Sequence, residues 1–186
     1  RYECEHSFTE RIKDDEHLVE GSGSDCTELY QYYYGCEYCD VISSEDIWTS
    51  DTYGPHNLDD KNYCDICEAT IYDVWVGNTQ INSKNAKDVF GDQTVSYNPE
   101  TNVLTLNGYN NDGKAYEFEE ECFAAIYSEE ALNLQICGEN EISNLEGTED
   151  DQLFGIMSFE GDVTISGEGN LDVESLMVIM ANEGDV

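Results

Sequence analysis

Cysteine and histidine residues carry the clearest chemistry in this sequence. Six of the eight cysteines precede Ile71, and four of those form two Cys-x-x-Cys pairs. Both sulfur atoms of such a pair can bind one ion, and Zn²⁺ prefers four nitrogen or sulfur ligands in tetrahedral positions. Together with two histidines, these residues supply enough ligands for two closed structural zinc sites: Cys4, His6, Cys26, Cys36, Cys39, His56, Cys64 and Cys67.

Disulfide bonds are the alternative use of the same six cysteines. Acidic extracellular proteins occur where thiols oxidise, so three bridges are chemically reasonable. Zinc is favoured because the two cysteines of a Cys-x-x-Cys pair rarely form a relaxed disulfide. His6 and His56 also stand at ligand spacings, whereas His17 follows three acidic residues and is expected to be solvated.

The elements that position these ligands are short. Strand patterns cover residues 11–13, 18–20, 29–34 and 41–48, and they are interrupted by turns rich in Asp, Gly, Ser and Pro. Apolar side chains are too few here for a self-sufficient core. We therefore expect residues 1–70 to form a small metal-stapled β-hairpin module.

Composition excludes several function classes. The chain has 42 Asp and Glu against 7 Lys and Arg, a formal charge of −35, which repels nucleic acid and anionic membranes. No run approaches the about 20 apolar residues of a membrane helix. The 13 Tyr, 6 Phe and 2 Trp indicate a chain that folds despite its charge.

Acidic clusters raise the question of Ca²⁺, which is a possible second cofactor. Carboxylate oxygens are the ligands that Ca²⁺ prefers, but neither cluster has the ordered spacing of a dedicated calcium loop. The charge is also consistent with a well-solvated extracellular surface or with adaptation to high salt. The clusters consist of Glu117, Glu119, Glu120 and Glu121, and of Glu146, Glu149, Asp150 and Asp151.

Residues 71–186 show the alternation of apolar and polar residues that is typical of β strands. Val95 and Tyr97 can share a face with Leu104 and Leu106 in a hairpin whose turn contains Pro and Asn. Further on, the segment 155–163 is similar to 178–186, an offset of 23 residues. Repeats of this size predict a short parallel β-solenoid in which each coil buries its face on the next.

The predicted solenoid domain covers residues 71–186, with the hairpin as its N-terminal cap. Inward positions are expected at Leu132, Leu134, Ile136, Val163, Ile165, Leu171 and Val173. The sequence stops within a coil, so we expect either truncation at the C-terminus or end-to-end assembly through the solenoid. Cys137 has outward parity, which suits a disulfide to Cys122 on a neighbouring coil about as well as a free thiol.

Two resemblances to known proteins carry the interpretation further. The motifs CEHSFTE, DDEHLV, CT, YYYGCEYC and YGPH resemble small modules repeated in secreted and cell-surface proteins of anaerobic Gram-positive bacteria. The resemblance implies one zinc site from Cys26, Cys36, Cys39 and His56, and a second from Cys4, His6, Cys64 and Cys67. The sequence departs from that pattern at Asp40, where glycine commonly follows the CxxC, and at Pro55, which lies between Gly and His.

The segment YDVWVGNTQINSKNAKDVFGDQTVSYNPETNVLTLNG resembles the pattern LWVGGxxVTSxNxxDVLGDGTVSYDPxTNTLTLNNA. This pattern precedes short right-handed parallel β-solenoids in many secreted bacterial proteins. Some relatives of that group are carbohydrate-binding surface proteins. The resemblance implies an extracellular or cell-surface location in a bacterium.

The expected function is that of a non-catalytic extracellular module, adhesive or carbohydrate-binding. Four aromatic residues are candidates for stacking on sugar rings, although each is also suited to the core: Trp75, Tyr97, Tyr109 and Tyr116. The partner would be an extracellular glycan or a surface protein. A second hypothesis is a purely structural spacer or subunit of a surface appendage that self-associates end to end.

Catalysis is the least favoured hypothesis. Parallel β-helices include Ca²⁺-dependent polysaccharide lyases and hydrolases, which need a strong base beside bound Ca²⁺ or a defined carboxylate pair. The β domain has no arginine and only Lys84, Lys87 and Lys114, and its carboxylates are too numerous to single out a pair. No catalytic residue is predicted.

Overall fold

The computed structural model describes residues 6–111, 113–143, 145, 147 and 151–186. All the regular elements within these ranges are β strands, so the chain is all-β with a cysteine-rich N-terminal region. The described residues include no helix of the length and apolarity needed to cross a membrane. The chain divides into two compact units after Glu68, two residues before the boundary expected from the sequence.

The first unit is organised around one long antiparallel hairpin. Its strands are β1 (Phe8–Glu10), β2 (Leu29–Cys36), β3 (Cys39–Tyr53) and the short β4 (Tyr63–Cys64), and the first three form a sheet in the order β1-β2-β3. Cys36 and Cys39 are register partners on either side of the hairpin turn. At about 3.3 Å per residue, the eight-residue β2 separates its two ends by roughly 25 Å.

Few apolar side chains are buried in the first unit. Among its described residues the buried apolar set is Cys36, Trp48 and Cys64. The Trp48 ring stacks on Tyr32 with centroids 5.2 Å apart. Two of these three buried groups are predicted metal ligands, so the hydrophobic core of this unit is thin.

His17 is buried in the same unit, so the expectation that it is solvated was wrong. The side-chain oxygen Asp14 Oδ1 accepts a hydrogen bond from the His17 backbone N–H at 2.8 Å and lies 2.6 Å from His17 Nδ1. The contact at Nδ1 offsets the desolvation of the imidazole ring, and the other satisfies the backbone N–H. They fix the turn that follows β1 and leave His17 outside the metal-binding groups.

Within its described residues, the second unit has twelve strands that form ladders along successive passes of the chain. Their bounds are β5 (Ala69–Val76), β6 (Thr79–Asn82), β7 (Val95–Asn98), β8 (Val103–Asn107), β9 (Tyr116–Glu119), β10 (Cys122–Ser128), β11 (Leu132–Cys137), β12 (Glu139–Ile142), β13 (Gln152–Ser158), β14 (Val163–Gly167), β15 (Asn170–Val173) and β16 (Met177–Ala181).

In the part of the chain that the structure describes, three parallel ladders connect equivalent strands of successive passes. One joins β10, β13 and β16, the second joins β8, β11 and β14, and the third joins β12 and β15. The 23-residue offset predicted from the sequence is the register of β13 with β16, in which Ile156 pairs with Ile179. We call one pass of the chain through these ladders a coil.

The inward side chains form the main core of the unit. Leu132, Leu134 and Ile136 are buried, as is Val163 in the next coil. Asn140, in β12, is also buried. Its Oδ1 accepts a hydrogen bond from the Tyr109 backbone N–H at 2.9 Å. Its Nδ2 donates to Asn170 O of the following coil at 3.0 Å, so one buried amide connects three coils.

Antiparallel strands cover the first coil. β7 pairs with β8 as the predicted hairpin, with Val95 opposite Leu106 and Tyr97 opposite Leu104. Asn102 takes a φ of 52° in the connecting turn, a left-handed conformation that Asn tolerates better than most residues. β5 covers β10 in the same way and is itself paired with β6.

Candidate metal centres

Four predicted ligands meet in the first unit to form what we call cluster A, made of Cys26, His56, Cys64 and Cys67. Their ligand atoms all lie within 4.8 Å of one another. Cys26 Sγ is 3.7 Å from Cys64 Sγ, and Cys67 Sγ is 3.5 Å from His56 Nδ1. Cys64 is fully buried and the other three ligands are half-buried.

Gly54 explains how His56 reaches Cys26. A Cβ at position 54 would collide with the carbonyl oxygen of Gly23, so only glycine allows the two backbones to approach this closely. Gly54 N also donates to Glu28 O at 2.9 Å. The chain that leaves β3 is thereby held against the chain that enters β2, and the two carry His56 and Cys26 respectively.

Two thiols of cluster A have shifted pKa values. Burial opposes ionisation of Cys64, but the backbone N–H groups of Cys67 and Ile66, with His56, lower the pKa of its thiol to about 6. Burial and the neighbouring Cys64 and Cys67 raise the pKa of Cys26 to about 12. The thiolate form of Cys64 is therefore favoured at neutral pH, and a bound cation would displace the proton from Cys26.

The second group, which we call cluster B, consists of His6, Cys36 and Cys39. Cys39 Sγ lies 3.4 Å from His6 Nδ1, and Cys36 is buried. The backbone N–H of Tyr38 is the main reason that the pKa of the Cys36 thiol is lowered to about 6. The sheet brings His6 to this place because Phe8 pairs with Cys36. The predicted ligand Cys4 lies outside the described residues.

The distances in cluster A, and the Cys39–His6 distance of 3.4 Å in cluster B, are compatible with tetrahedral zinc coordination. With Zn–S of about 2.3 Å and Zn–N of about 2.0 Å, the edges of a tetrahedron are about 3.8 Å between two sulfurs and about 3.5 Å between sulfur and nitrogen. The Cys26–Cys64 distance of 3.7 Å and the Cys67–His56 distance of 3.5 Å match these edges. All seven described cysteines are free thiols, so none is consumed by a disulfide.

The ligand grouping implied by the sequence resemblance was wrong. Cys26 and His56 do meet, but they meet Cys64 and Cys67 rather than Cys36 and Cys39. The physical reason is the length of β2, because Cys26 lies three residues before this extended strand and Cys36 is its last residue. His6 accordingly joins Cys36 and Cys39 instead of Cys64 and Cys67.

The structure also bears on the predicted Cys122–Cys137 disulfide and on the acidic clusters considered as calcium sites. The predicted bridge between Cys122 and Cys137 is not formed, because Cys122 begins β10 while Cys137 pairs with Asn107 in a different sheet. Glu117, Glu119, Glu120 and Glu121 do not come together in a group that could hold a metal ion. Of the other acidic cluster, Glu146, Glu149 and Asp150 lie outside the described residues.

The aromatic candidates have different environments. Tyr109 is buried and stacks on Phe90, so its expected role as a surface platform was wrong. Tyr97 is half-buried, and its hydroxyl donates to Asn102 Oδ1 at 3.0 Å. Trp75 and Tyr116 are both half-buried and stack face to face with centroids 4.3 Å apart and an interplanar angle of 12°.

Sequence reasoning missed the group around this stacked pair, which we call the aromatic patch. Tyr127 lies edge-on to Trp75 at 5.6 Å and stacks on Phe118 at 4.9 Å, and Phe118 contacts Phe154. Tyr127 follows the core residue Ile126 in β10, so the alternation of a strand places it on the opposite face of the sheet, where it is buried with Phe154 in a second hydrophobic cluster. The register in which Trp75 pairs with Tyr127 was the missing information.

No known protein family, curated protein or solved structure matches the chain.

Proposed function

We propose that this chain is a non-catalytic extracellular module whose first unit is held together by two structural zinc ions. The observation that carries the proposal is cluster A, in which three sulfurs and one imidazole stand at the distances of a closed tetrahedral site. A closed set of four protein ligands leaves no position for substrate, which is typical of structural rather than catalytic zinc. Cluster B would be completed by Cys4, two residues before His6.

Zinc analysis tests this proposal. We expect the purified chain to contain two zinc ions, measured by mass spectrometry of the metal after gel filtration, and to release them with loss of thiol protection when a chelator is added. Cys64→Ser removes a buried ligand of cluster A and should lower the content to one ion. Cys137→Ser, at a half-buried cysteine outside both clusters, is the matched control and should retain both ions.

A chain that carries no zinc and has all thiols reactive would contradict the proposal. Disulfides would be revealed by a mass that increases on reduction and alkylation. Iron would be identified in the same metal analysis, because Cys and His ligands also accept it.

We further propose that the second unit is a short right-handed parallel β-solenoid whose aromatic patch binds carbohydrate. Support comes from the parallel ladders and from the half-buried pair of Trp75 and Tyr116. Aromatic faces pack against the C–H face of a sugar ring, and nearby carboxylates accept hydrogen bonds from its hydroxyls. Asp73 and Glu129 are close enough to raise the pKa of Tyr116, after the larger effect of burial.

Binding to a glycan array, followed by titration of any retained glycan, tests the carbohydrate proposal. Tyr116→Ala should weaken binding by about tenfold through loss of one stacking face. Tyr53→Ala is the control, because Tyr53 is an exposed aromatic residue of the first unit. An array with no retained glycan, or equal loss in both variants, would contradict this function.

A structural role in a surface appendage is the second candidate. The outermost strands β14, β15 and β16 each pair on one side only among the described residues, which favours stacking of further protein on that end. Filaments or concentration-dependent oligomers, seen by electron microscopy and sedimentation, would support it. A monomer at all concentrations, together with specific glycan binding, would favour the carbohydrate proposal instead.

A further inference from the structure

A row of carboxylates lies beside the aromatic patch, on the face of β5 and β10 that is opposite the main core. Val74 is buried in that core, so the alternation of β5 places its neighbours Asp73 and Trp75 on the opposite face. Trp75 pairs with Tyr127 across the two strands. Two residues further along β10, Glu129 N donates to Asp73 O at 3.0 Å, so these two acidic residues face each other across the ladder.

The acidic row is in contact with the aromatic rings. The Tyr127 hydroxyl donates to Glu129 Oε2 at 2.5 Å. Burial, and then the charges of Glu129 and Asp73, raise the pKa of Tyr116. Residues two apart on one face of a strand are separated by roughly 6.6 Å, so a ligand with a single ring can touch both the aromatic and the acidic row.

Glu130 is a third carboxylate at this place, and we call Asp73, Glu129 and Glu130 the acidic centre. After burial and Glu129, it contributes to the raised pKa of Asp73. Like charges that face each other across an antiparallel pair destabilise a sheet. The salt bridges of the described residues both lie in the first unit, so no basic side chain of the described chain neutralises the acidic centre. A positive charge would therefore be stabilised here.

The acidic centre is not arranged for a metal ion. Clusters A and B, whose ligand atoms lie within 4.8 Å of one another, are the groups of described residues that could hold a metal, and the acidic centre is not among them. A protonated amine does not need all three carboxylates to converge on one point. It can donate to one or two of them and still be attracted by the third.

The aromatic rings select the rest of the ligand. Trp75 and Tyr116 use one face each in their stacked pair, with centroids 4.3 Å apart, so each ring has a single face left for a ligand. Both residues are half-buried. An aromatic face packs against the C–H face of a sugar ring and also attracts a cation. The combination favours a sugar ring with a positive charge over a neutral ring.

We propose that the aromatic patch and the acidic centre together bind an amino sugar whose amine is free and protonated, such as a glucosamine unit of a polysaccharide. The sugar ring stacks on the free face of Trp75 or Tyr116, and its ammonium group donates to Asp73 and Glu129. Uronic acids and other anionic sugars are repelled. This inference rests on the proposed carbohydrate function and names the class of sugar.

Isothermal titration calorimetry with the zinc-loaded full chain tests the proposal. The probes are a β-1,4-linked glucosamine tetramer, its fully N-acetylated form and a galacturonic acid tetramer, so the ring charge is positive, neutral and negative in turn. We expect the glucosamine tetramer to bind at least about tenfold more tightly than the N-acetylated form, with affinity that falls as salt is added. The galacturonic acid tetramer should not bind.

Variants of the chain assign the charge preference to the acidic centre. Asp73→Asn and Glu129→Gln each remove one negative charge with little change of size, and the Gln side chain still offers an oxygen to the Tyr127 hydroxyl. Each should lower the ratio of glucosamine to N-acetylated affinity by about threefold. Tyr116→Ala should weaken the binding of both tetramers. The matched control is Glu45→Gln, which removes one exposed carboxylate of the first unit and should leave the ratio unchanged.

The outcomes separate this inference from the carbohydrate function itself. If the N-acetylated tetramer binds as tightly as the glucosamine tetramer, the charge preference is overturned and the carbohydrate function stands. If the glucosamine tetramer does not bind, the inference is overturned, and an empty glycan array in addition overturns the carbohydrate function.

Two further results would contradict the assignment of the site. Glucosamine binding that Asp73→Asn and Glu129→Gln leave unchanged would indicate general attraction to an acidic chain. A lysine tetrapeptide that binds as tightly as the glucosamine tetramer would show that the site selects a cation without a sugar ring. Either result overturns the proposal.

Discussion

Cys26 Sγ lies 3.7 Å from Cys64 Sγ, although 38 residues separate the two cysteines in the chain. A disulfide would bring the two sulfurs to about 2.05 Å, whereas two ligands of one tetrahedral zinc ion stand about 3.8 Å apart. The contact joins the chain that enters the β2–β3 hairpin to the chain that follows it. A metal ion at this point would close most of the first unit into a single loop.

Removal of zinc should unfold the first unit and leave the second unit folded. Structural zinc contributes about 10–16 kcal/mol in small zinc-dependent domains, more than a thin core can replace. In a Trp75→Phe variant, Trp48 is the remaining tryptophan and reports on the first unit. We expect a chelator to shift its fluorescence to the red, while the far-UV strand signal of the second unit persists.

Addition of zinc to the chelated protein should restore the Trp48 signal. An emission spectrum that stays unchanged after metal analysis shows complete zinc removal would mean that the first unit folds without metal.

Leu134→Ala and Ile165→Ala should differ strongly in cost, although the two residues pair in the same ladder. Leu134 is fully buried, and truncation there should lower the free energy of unfolding of the second unit by about 2–5 kcal/mol. Ile165 is 42% exposed, and its truncation should cost less than about 1 kcal/mol. Urea titrations followed by circular dichroism measure both values, and equal costs would contradict the stacking of one coil on the next.

Asp73→Asn should stabilise the second unit at neutral pH. Burial, and then repulsion by Glu129 and Glu130, raise the pKa of Asp73 in the folded chain. At a pH above this raised pKa, the charged carboxylate lowers the free energy of unfolding. That cost is relieved as the pH falls from the folded pKa toward the ordinary value of about 3.9. After allowance for solvent screening, the gain from the substitution should be a few tenths of a kcal/mol at pH 7 and should vanish in acid.

The matched control for that measurement is Asp92→Asn, because the effect on Asp92 has the opposite sign. Thr94 donates to Asp92 Oδ1 from its hydroxyl at 2.6 Å and from its backbone N–H at 3.0 Å, and these bonds lower the pKa of Asp92. The stabilisation is present above the unfolded pKa and is lost as the pH falls through the lower folded pKa. Thermal midpoints that rise in Asp92→Asn, or fall in Asp73→Asn at pH 7, would refute the assigned electrostatics.

Periodicity was a good guide to the second unit because strand alternation and coil repeats are local properties of sequence. The hairpin of Val95 and Tyr97 with Leu104 and Leu106 was predicted, as was the 23-residue register of β13 with β16. Ile165 was expected to point into a core, yet its burial depends on a neighbouring coil and so is not encoded in its own segment.

The residue types alone indicated which Cys and His of the first unit could bind a metal, but how they group required the path of the chain. The pattern of Leu29–Tyr34 already indicated a strand between Cys26 and Cys36, and its extended length was sufficient to separate them. Tyr109 was misjudged for a similar reason, because its burial comes from Phe90 and from coils distant in sequence. The aromatic patch could not be predicted either, because it forms through the pairing register of neighbouring strands, and the amino-acid composition does not determine that register.

The central claim is that two zinc ions occupy cluster A and cluster B, and the zinc content of two double variants tests it most directly. Cys26→Ser with Cys64→Ser places both changes in cluster A, so one zinc ion per chain should remain. Cys26→Ser with Cys36→Ser damages both clusters, so no zinc should remain. If the first double variant instead loses both ions while the second retains one, the assignment of ligands to cluster A and cluster B is contradicted.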